Sequence, residues 1–420
     1  MTLPATLRAL RYRNFQLFFG GQLISVIGTW MQNVAQAWLV YRMTGSSVLL
    51  GLVSFSGQIP VFLMAPVGGI VADRFPRRRV VIGTQTAAMV LALILAALTL
   101  TGAVRIWHIF VLSALLGVVN AFDIPARQAF FVEMVGREDL INAIALNSSM
   151  FNASRVIGPA VAGILVAGIG EGWCFFANGV SYIAVIVGLL LMTVDLHKPA
   201  RHPASPLEDI IEGFRFVIGS APIHHLMIML GILSLTGMPF AVLMPIFAGQ
   251  ILHGGAKALG ILMGASGVGA LAGALLLASR ETVQGLGRWV AISSAAFGAS
   301  LIAFTASRSF WLSCALLLPV GFTMMVQMGS TNTLIQTMSP DRLRGRVMSV
   351  YSMMFMGMAP FGAVLSGVAA ARWGAPATVA AGGIVSMAAA AVFGWRWPGL
   401  RTEARELIDA AHVAGGVPVK

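Results

Sequence analysis

The sequence predicts an all-helical membrane protein of twelve transmembrane helices, arranged as two six-helix halves. Three observations carry this prediction: a composition too apolar for water, long apolar runs along the whole chain, and a one-sided distribution of Arg and Lys. Of 420 residues, 58% are hydrophobic and 10% charged, and mean hydropathy is +0.86. A soluble domain carries about 25% charged residues. The apolar runs reach the roughly 20 residues that a helix needs to cross a bilayer. Their continuity excludes a membrane β-barrel, whose strands alternate apolar and polar over about ten residues. Helices remain, because they satisfy every backbone amide within the segment.

Spans are expected at 14–41, 47–72, 80–101, 106–126, 139–169, 172–193, 222–252, 257–279, 287–306, 310–335, 342–371 and 375–397. The first is too long for a cleaved signal peptide, and no A-x-A site follows it. With a cytoplasmic N-terminus, the outside loops hold Arg42, Arg105, Lys257, Arg308 and Arg372, and Arg155 lies within span five. The remaining 21 of the 27 Lys and Arg fall inside. This asymmetry obeys the positive-inside rule, places both termini in the cytoplasm, and accounts for the net charge of +12 without nucleic acid. Cys174 and Cys314 sit in apolar runs without metal or redox spacing and read as small hydrophobes.

The longest break divides the chain into an N-terminal half (1–193), a cytoplasmic linker (194–221), a C-terminal half (222–397) and a cytoplasmic tail (398–420). Within the linker, Ser205-Pro206-Leu207-Glu208 offers an N-cap, a proline at the first helical position and a capping-box glutamate. Leu207, Ile210, Ile211, Phe214 and Val217 then share one face. The pattern predicts either an amphipathic helix on the membrane surface or a soluble loop helix. The halves are weak repeats: 136–150 aligns with 339–353, matching Glu138 with Asp341 and Leu140 with Leu343. Parallel repeats of this kind belong to transporters that bind substrate near the midplane.

The densest charge cluster, GGIVADRFPRRRV (68–80), turns from span two into the loop before span three. Gly69 would let another helix approach closely, and Asp73 could accept from amides at a helix N-terminus. Gly69, Asp73, Arg74, Arg77 and Arg78 resemble the loop 2–3 signature of the major facilitator superfamily, G-x-x-x-D-[RK]-x-G-R-[RK], with Pro76 in place of its glycine. The resemblance implies a gating loop whose aspartate faces the start of span eleven. The alternative for the arginines is a topology anchor.

Span five carries NASRVIGPAVAG (152–163), similar to the Gly-Pro motif of exporter branches through Gly158, Pro159 and Gly163. Span eight carries Gly264, Gly267, Gly269 and Gly273. In that fold spans five and eight meet across the halves, so these positions are expected at an interdomain helix interface. ARQAFFVEMVGREDL (126–140) and RLRGRVMS (342–349) resemble the branch holding enterobactin-type siderophore exporters and macrolide efflux proteins, a likeness that covers essentially the whole chain.

Polar residues at depth are the substrate-cavity candidates. Gln22, Ser25, Thr29, Asn33 and Gln36 follow helical spacing along one face of span one. Asn120, Asn147, Asn152, Arg155, Gln327 and Asn332 join them. Asp123 is read as the one carboxylate within a span and as the proton-coupling candidate; direct pairing with Arg155 would need that side chain to reach well down its helix. The methionines Met324, Met325, Met328, Met348, Met353, Met354, Met356 and Met358 suit either an adaptable cavity or ordinary filler.

The chain has no G-x-x-x-x-G-K-[ST] loop, so no ATP-hydrolysing site is expected, nor is any cofactor, metal site or catalytic residue. The expected function is secondary active transport in the cell (inner) membrane: proton-coupled export of hydrophobic or amphipathic, drug- or siderophore-like small molecules, by a monomer without nucleic-acid partners. An uptake symporter, or a membrane receptor or scaffold on the same fold, are the alternatives.

Overall fold

The computed structural model describes residues 5–136, 138–193, 206–280 and 282–414. A short 3-10 turn, Ala5–Arg11, precedes α1 (Arg13–Thr44), α2 (Ser47–Arg74), α3 (Arg77–Leu100), α4 (Ile106–Val135), α5 (Leu140–Ile169) and α6 (Glu171–Leu191). Then come α7 (Pro206–Gly219), α8 (Ala221–Ile251), α9 (Gly255–Ala278), α10 (Leu286–Ala306), α11 (Phe310–Met338), α12 (Asp341–Trp373) and α13 (Ala375–Ala414). Among the described residues, eleven of these helices are long and apolar enough to cross a membrane. The other two are α7 and α1. At 32 residues α1 has the length, but its row of glutamine, asparagine, serine and threonine dilutes its hydropathy.

Local chemistry sets the boundaries. Gly45 ends α1 in the left-handed region (φ 61) and donates to the Tyr41 carbonyl, a conformation open to glycine at little cost. Ser46 then caps α2, its hydroxyl accepting from the Leu49 amide. In α8 the helix widens into π turns at Leu233–Gly237 and Phe247–Ile251. Pro239 and Pro245 lie beside these turns; proline lacks an amide donor and its ring crowds the carbonyl four residues earlier.

The chain forms two compact units: Met1–His202 with Ala248–Gly264, and Pro203–Phe247 with Ala265–Lys420. In the first, α2 packs on α4 and α1 on α6. Small residues permit these approaches: a Cβ on Gly117 would lie 2.4 Å from the Gly57 carbonyl oxygen, and one on Gly21 would lie 2.9 Å from that of Ala184. A cluster of Phe15, Phe18, Phe130, Phe131, Met134 and Leu189 closes one end, with Phe18 edge-on to Phe131. In the second unit α10 packs on α11 and α13. Trp107, Trp173, Trp311 and Trp373 are exposed, each within a turn of a helix end, where interfacial tryptophans sit.

Two segments run beyond their expected ends. Helix α4 continues to Val135 rather than stopping near 126, and α13 passes through Pro398 to Ala414 instead of breaking into a separate tail. Glu403 explains the second: its carboxylate accepts the Ala221 amide at 3.2 Å, where the helix dipole favours an anion. In the linker, the side chains of Ser205, Leu207, Glu208 and Ile210 lie outside the described residues. The rest of α7 rests on α12. Gly213 abuts the Arg346 carbonyl, Val217 is buried, and Glu212 pairs with Arg342 and Arg346. Ile211 and Ile218 point outward.

Candidate transport site

Asp123 organises a buried polar network in the first unit. It is 3% exposed, one turn before Arg127 on α4, whose Nε lies 3.3 Å from Asp123 Oδ2. From α3, Thr84 Oγ1 and Gln85 Nε2 donate to Asp123 Oδ1 at 2.8 and 2.9 Å. Arg127 Nη1 in turn donates to Gln22 Oε1 on α1 at 3.2 Å. Three helices therefore share one charge pair. The Gln22 Nε2 and Gln85 Oε1 atoms remain buried without a partner, two groups able to take a further hydrogen bond.

This arrangement corrects the sequence reading of Asp123. Its cation is Arg127, which the shorter span had placed in a loop, and not Arg155. The guanidinium of Arg155 lies instead over the Trp30 ring of α1, 5.9 Å from its centroid. Glu133 is a second carboxylate within the length of α4.

Along α1, Gln22 and Ser25 are buried, Thr29 and Gln36 half-buried, and Asn33 exposed. Thr29 Oγ1 donates to the Ser25 carbonyl and lies 3.5 Å from the Tyr182 hydroxyl. Gln36 donates to Ser113 at 2.9 Å. The inward residue near Asn33 is Gln32, which accepts from Asn178 of α6 at 2.7 Å. Gln32 and Asn33 thus lie toward opposite edges of the polar face, and it is the Gln32 edge that packs against α6.

The remaining candidates are dispersed. Asn120 and Asn147 are half-buried, and Asn152 bonds its own helix at the Ser148 carbonyl. In the second unit Gln327 is fully buried and donates to Thr331, leaving its own oxygen and the Ser330 hydroxyl without partners. Asn332 accepts from Gln336.

In the loop 2–3 cluster, Arg77 is the hub. It donates to Glu133 at 2.9 Å and to the Ala129 carbonyl at 3.1 Å on α4, with Asp73 farther off at 3.9 Å. The Asp73 side chain is 71% exposed. Arg78 donates to the Leu189 and Leu190 carbonyls at the end of α6, and Arg74 is exposed. The close approach belongs to Gly68, not Gly69. A Cβ on Gly68 would sit 2.0 Å from the Ala121 carbonyl oxygen, whereas Gly69 has nothing within 4 Å.

The small residues of spans five and eight have several different neighbours. Gly158 sits against Ile27 and Trp30 of α1. Pro159 and Gly163 meet Gly260 of α9, and Gly264 lies near the Val156 carbonyl, all within the first unit. Gly269 and Gly273 pack on Leu318 and Phe322 of α11, and Gly267 is buried. A single five–eight interface for all seven positions is therefore too simple; Gly158, Gly269 and Gly273 serve packing inside the units.

Sequence reasoning missed Arg127, Thr84, Gln85, Gln32, Asn178 and Glu133. The i,i+4 spacing of Asp123 and Arg127 was the available signal. The glutamines carried none, since only tertiary packing brings them together.

A family model for transmembrane secretion effectors matches residues 4–417. The staphyloferrin A transporter of Staphylococcus aureus is 25% identical over 383 residues, covering 90% of this chain and 94% of that protein. The enterobactin exporter EntS of Shigella boydii is 25% identical over 354 residues, covering 84% of each. Among solved structures, the nucleoside transporter NupG superposes with a TM-score of 0.70 at 14% identity, over 91% of this chain and 97% of that one; this likeness concerns the fold.

Proposed function

The chain belongs to the transmembrane secretion effectors of the major facilitator superfamily, and from that premise we propose that it is a proton-driven exporter of hydrophobic or amphipathic small molecules. It is a multi-pass protein of the cell's inner membrane and a transporter by family. In our reading α1 is the twelfth span and both termini are cytoplasmic. Residues 1–193 and 222–397 form the two halves, 194–221 the linker and 398–420 the tail. The protein works as a monomer by alternating access, without catalytic chemistry of its own.

The observation that carries the proposal is the Asp123–Arg127 pair, its carboxylate buried, shared among α1, α3 and α4. An ionisable pair at membrane depth is costly and is characteristic of proton relays. A proton arriving at Asp123 cancels the charge that holds Arg127. The guanidinium keeps its bond to Gln22 of α1 while its pull on Asp123, one turn away on the same helix, is lost, so loading with a proton uncouples the α1 contact of α4 from its α3 contact at Thr84 and Gln85. Loss of the proton restores the pair. Arg77, bound to Glu133, provides the gating function proposed for loop 2–3, with Asp73 as its outer partner. The polar groups left unpartnered on Gln22 and Gln85 belong to the cavity that receives substrate.

The test is transport into everted membrane vesicles energised by a pH gradient. Uptake into such vesicles that collapses with the gradient is expected, and Asp123→Asn should abolish concentrative transport while leaving exchange of bound substrate. Concentrative transport by Asp123→Asn would rule out the coupling role, and movement in the opposite direction would rule out export.

A further inference from the structure

Four arginines of the first unit stand beside carboxylates, and the one in the middle of a span does not. Arg11 lies 2.8 Å from Asp139, Arg42 2.8 Å from Glu171, Arg77 2.9 Å from Glu133 and Arg127 3.3 Å from Asp123. Arg155 has no such partner: among the described residues its one recorded interaction is with the Trp30 ring. It also sits at the middle of α5, which runs Leu140–Ile169 over 30 residues. At about 1.5 Å per residue either end of the helix is roughly 20 Å away, too far for the side chain to snorkel to an interface. A guanidinium at that depth costs about 2.5–3.5 kcal/mol on insertion scales. A ring face within about 6 Å offers attraction but accepts none of its five donors in the plane.

Aromatic rings surround the guanidinium. Arg155 is half-buried. Trp30 is also edge-on to Phe151, with ring centroids 5.5 Å apart, and Phe151 is 50% exposed. A forked cation thus stands beside two aromatic rings, one of them open. Gly158, one turn further on, brings α5 hard against the backbone of α1 at Trp30, which fixes the rings relative to the guanidinium.

We propose that Arg155, Trp30 and Phe151 form the recognition site for an organic anion, whose carboxylate or similar flat oxyanion meets the guanidinium while its aromatic or apolar body lies on the rings. The inference rests on the exporter reading and narrows its substrate class to acids. A bidentate oxyanion supplies the charge that the protein withholds, and a lipophilic cation is repelled by the same group.

Three dansyl probes share a fluorophore and differ in charge: dansylglycine (anion), dansylamide (neutral) and dansylcadaverine (cation). Each is titrated by fluorescence anisotropy against the full-length protein in phosphatidylcholine nanodiscs, with empty discs subtracted. Dansylglycine should bind at least tenfold more tightly than dansylamide, a difference of about 1.4 kcal/mol. Arg155→Gln should erase that preference. Arg155→Lys, which keeps the charge without the fork, should retain part of it and shows that the site survives substitution. Equal binding of anion and neutral probe, an anion preference that persists in Arg155→Gln, or no binding of any probe would overturn the inference. The same probes in everted vesicles separate the two ideas. Arg155-dependent dansylglycine binding without pumping sinks export and leaves the anion site; pumping that favours the neutral or cationic probe sinks the anion site and leaves export.

Discussion

Replacing Arg127 by Gln strips the cation from a carboxylate whose side chain is 5% exposed. Thr84 and Gln85 still donate to Oδ1, but among the described residues Oδ2 keeps no partner. Breaking a buried pair on one side costs about 3–5 kcal/mol, because the remaining charge stays desolvated. Asp123→Asn removes the other side and should cost less, about 1–3 kcal/mol. The stranded Arg127 is 26% exposed, keeps its bond to Gln22 and can recruit water. In the double variant Asp123→Asn/Arg127→Gln neither charge is stranded. Its loss should fall short of the sum of the singles, by up to about 3 kcal/mol for groups in contact. Purified yield and thermal unfolding midpoint, measured on all four proteins in one detergent, give the stability cycle; everted-vesicle transport gives function. The expected order of stability places Arg127→Gln lowest, with transport lost in all three variants. An Arg127→Gln protein as stable as Asp123→Asn, or singles that simply add, would refute the buried-pair argument.

Gly68→Ala should sharply lower expression, since its Cβ would sit 2.0 Å from the Ala121 carbonyl oxygen, while Gly69→Ala, in open space, should express and transport normally; matched membrane yields check the contrast. Glu212→Gln should loosen α7 from α12 by removing the anion shared by Arg342 and Arg346, raising the rate of limited proteolysis across 206–219 several-fold without unfolding the rest. Gln32→Ala should cost about 1–3 kcal/mol by stranding the buried Asn178 amide, whereas Asn33→Ala, at an exposed position, should shift the midpoint little.

The helical class was legible because lipid imposes one rule on every span, and that rule is written in composition; the family was legible through the resemblance carried by the loop 2–3 and span-five motifs. The network around Asp123 obeys no such local rule. Arg127 lies one turn away in sequence but beyond the apolar run that ends near 126, and it joins Asp123 only because α4 continues nine residues further to Val135. Gln85 and Gln22 come from other helices and acquire meaning through contact alone.

The same distinction separates Gly68 from Gly69. Both satisfy a motif that asks for a small residue near the end of span two, and a one-residue step turns the face by about 100° on a helix of 3.6 residues per turn. Which of them meets α4 depends on the rotation of α2, set by Gly57 against Gly117 three turns earlier, a fact of packing between helices. Arg155 is the opposite case. Its oddity was visible in sequence because an arginine in the middle of a lipid-crossing helix is costly wherever its neighbours lie. The structure adds the missing half: Asp123, the nearest conceivable counter-ion, is already held by Arg127. A charge that neither lipid nor the described protein neutralises calls for an anion from outside, so the features hardest to justify structurally in this chain are the ones that point to its cargo.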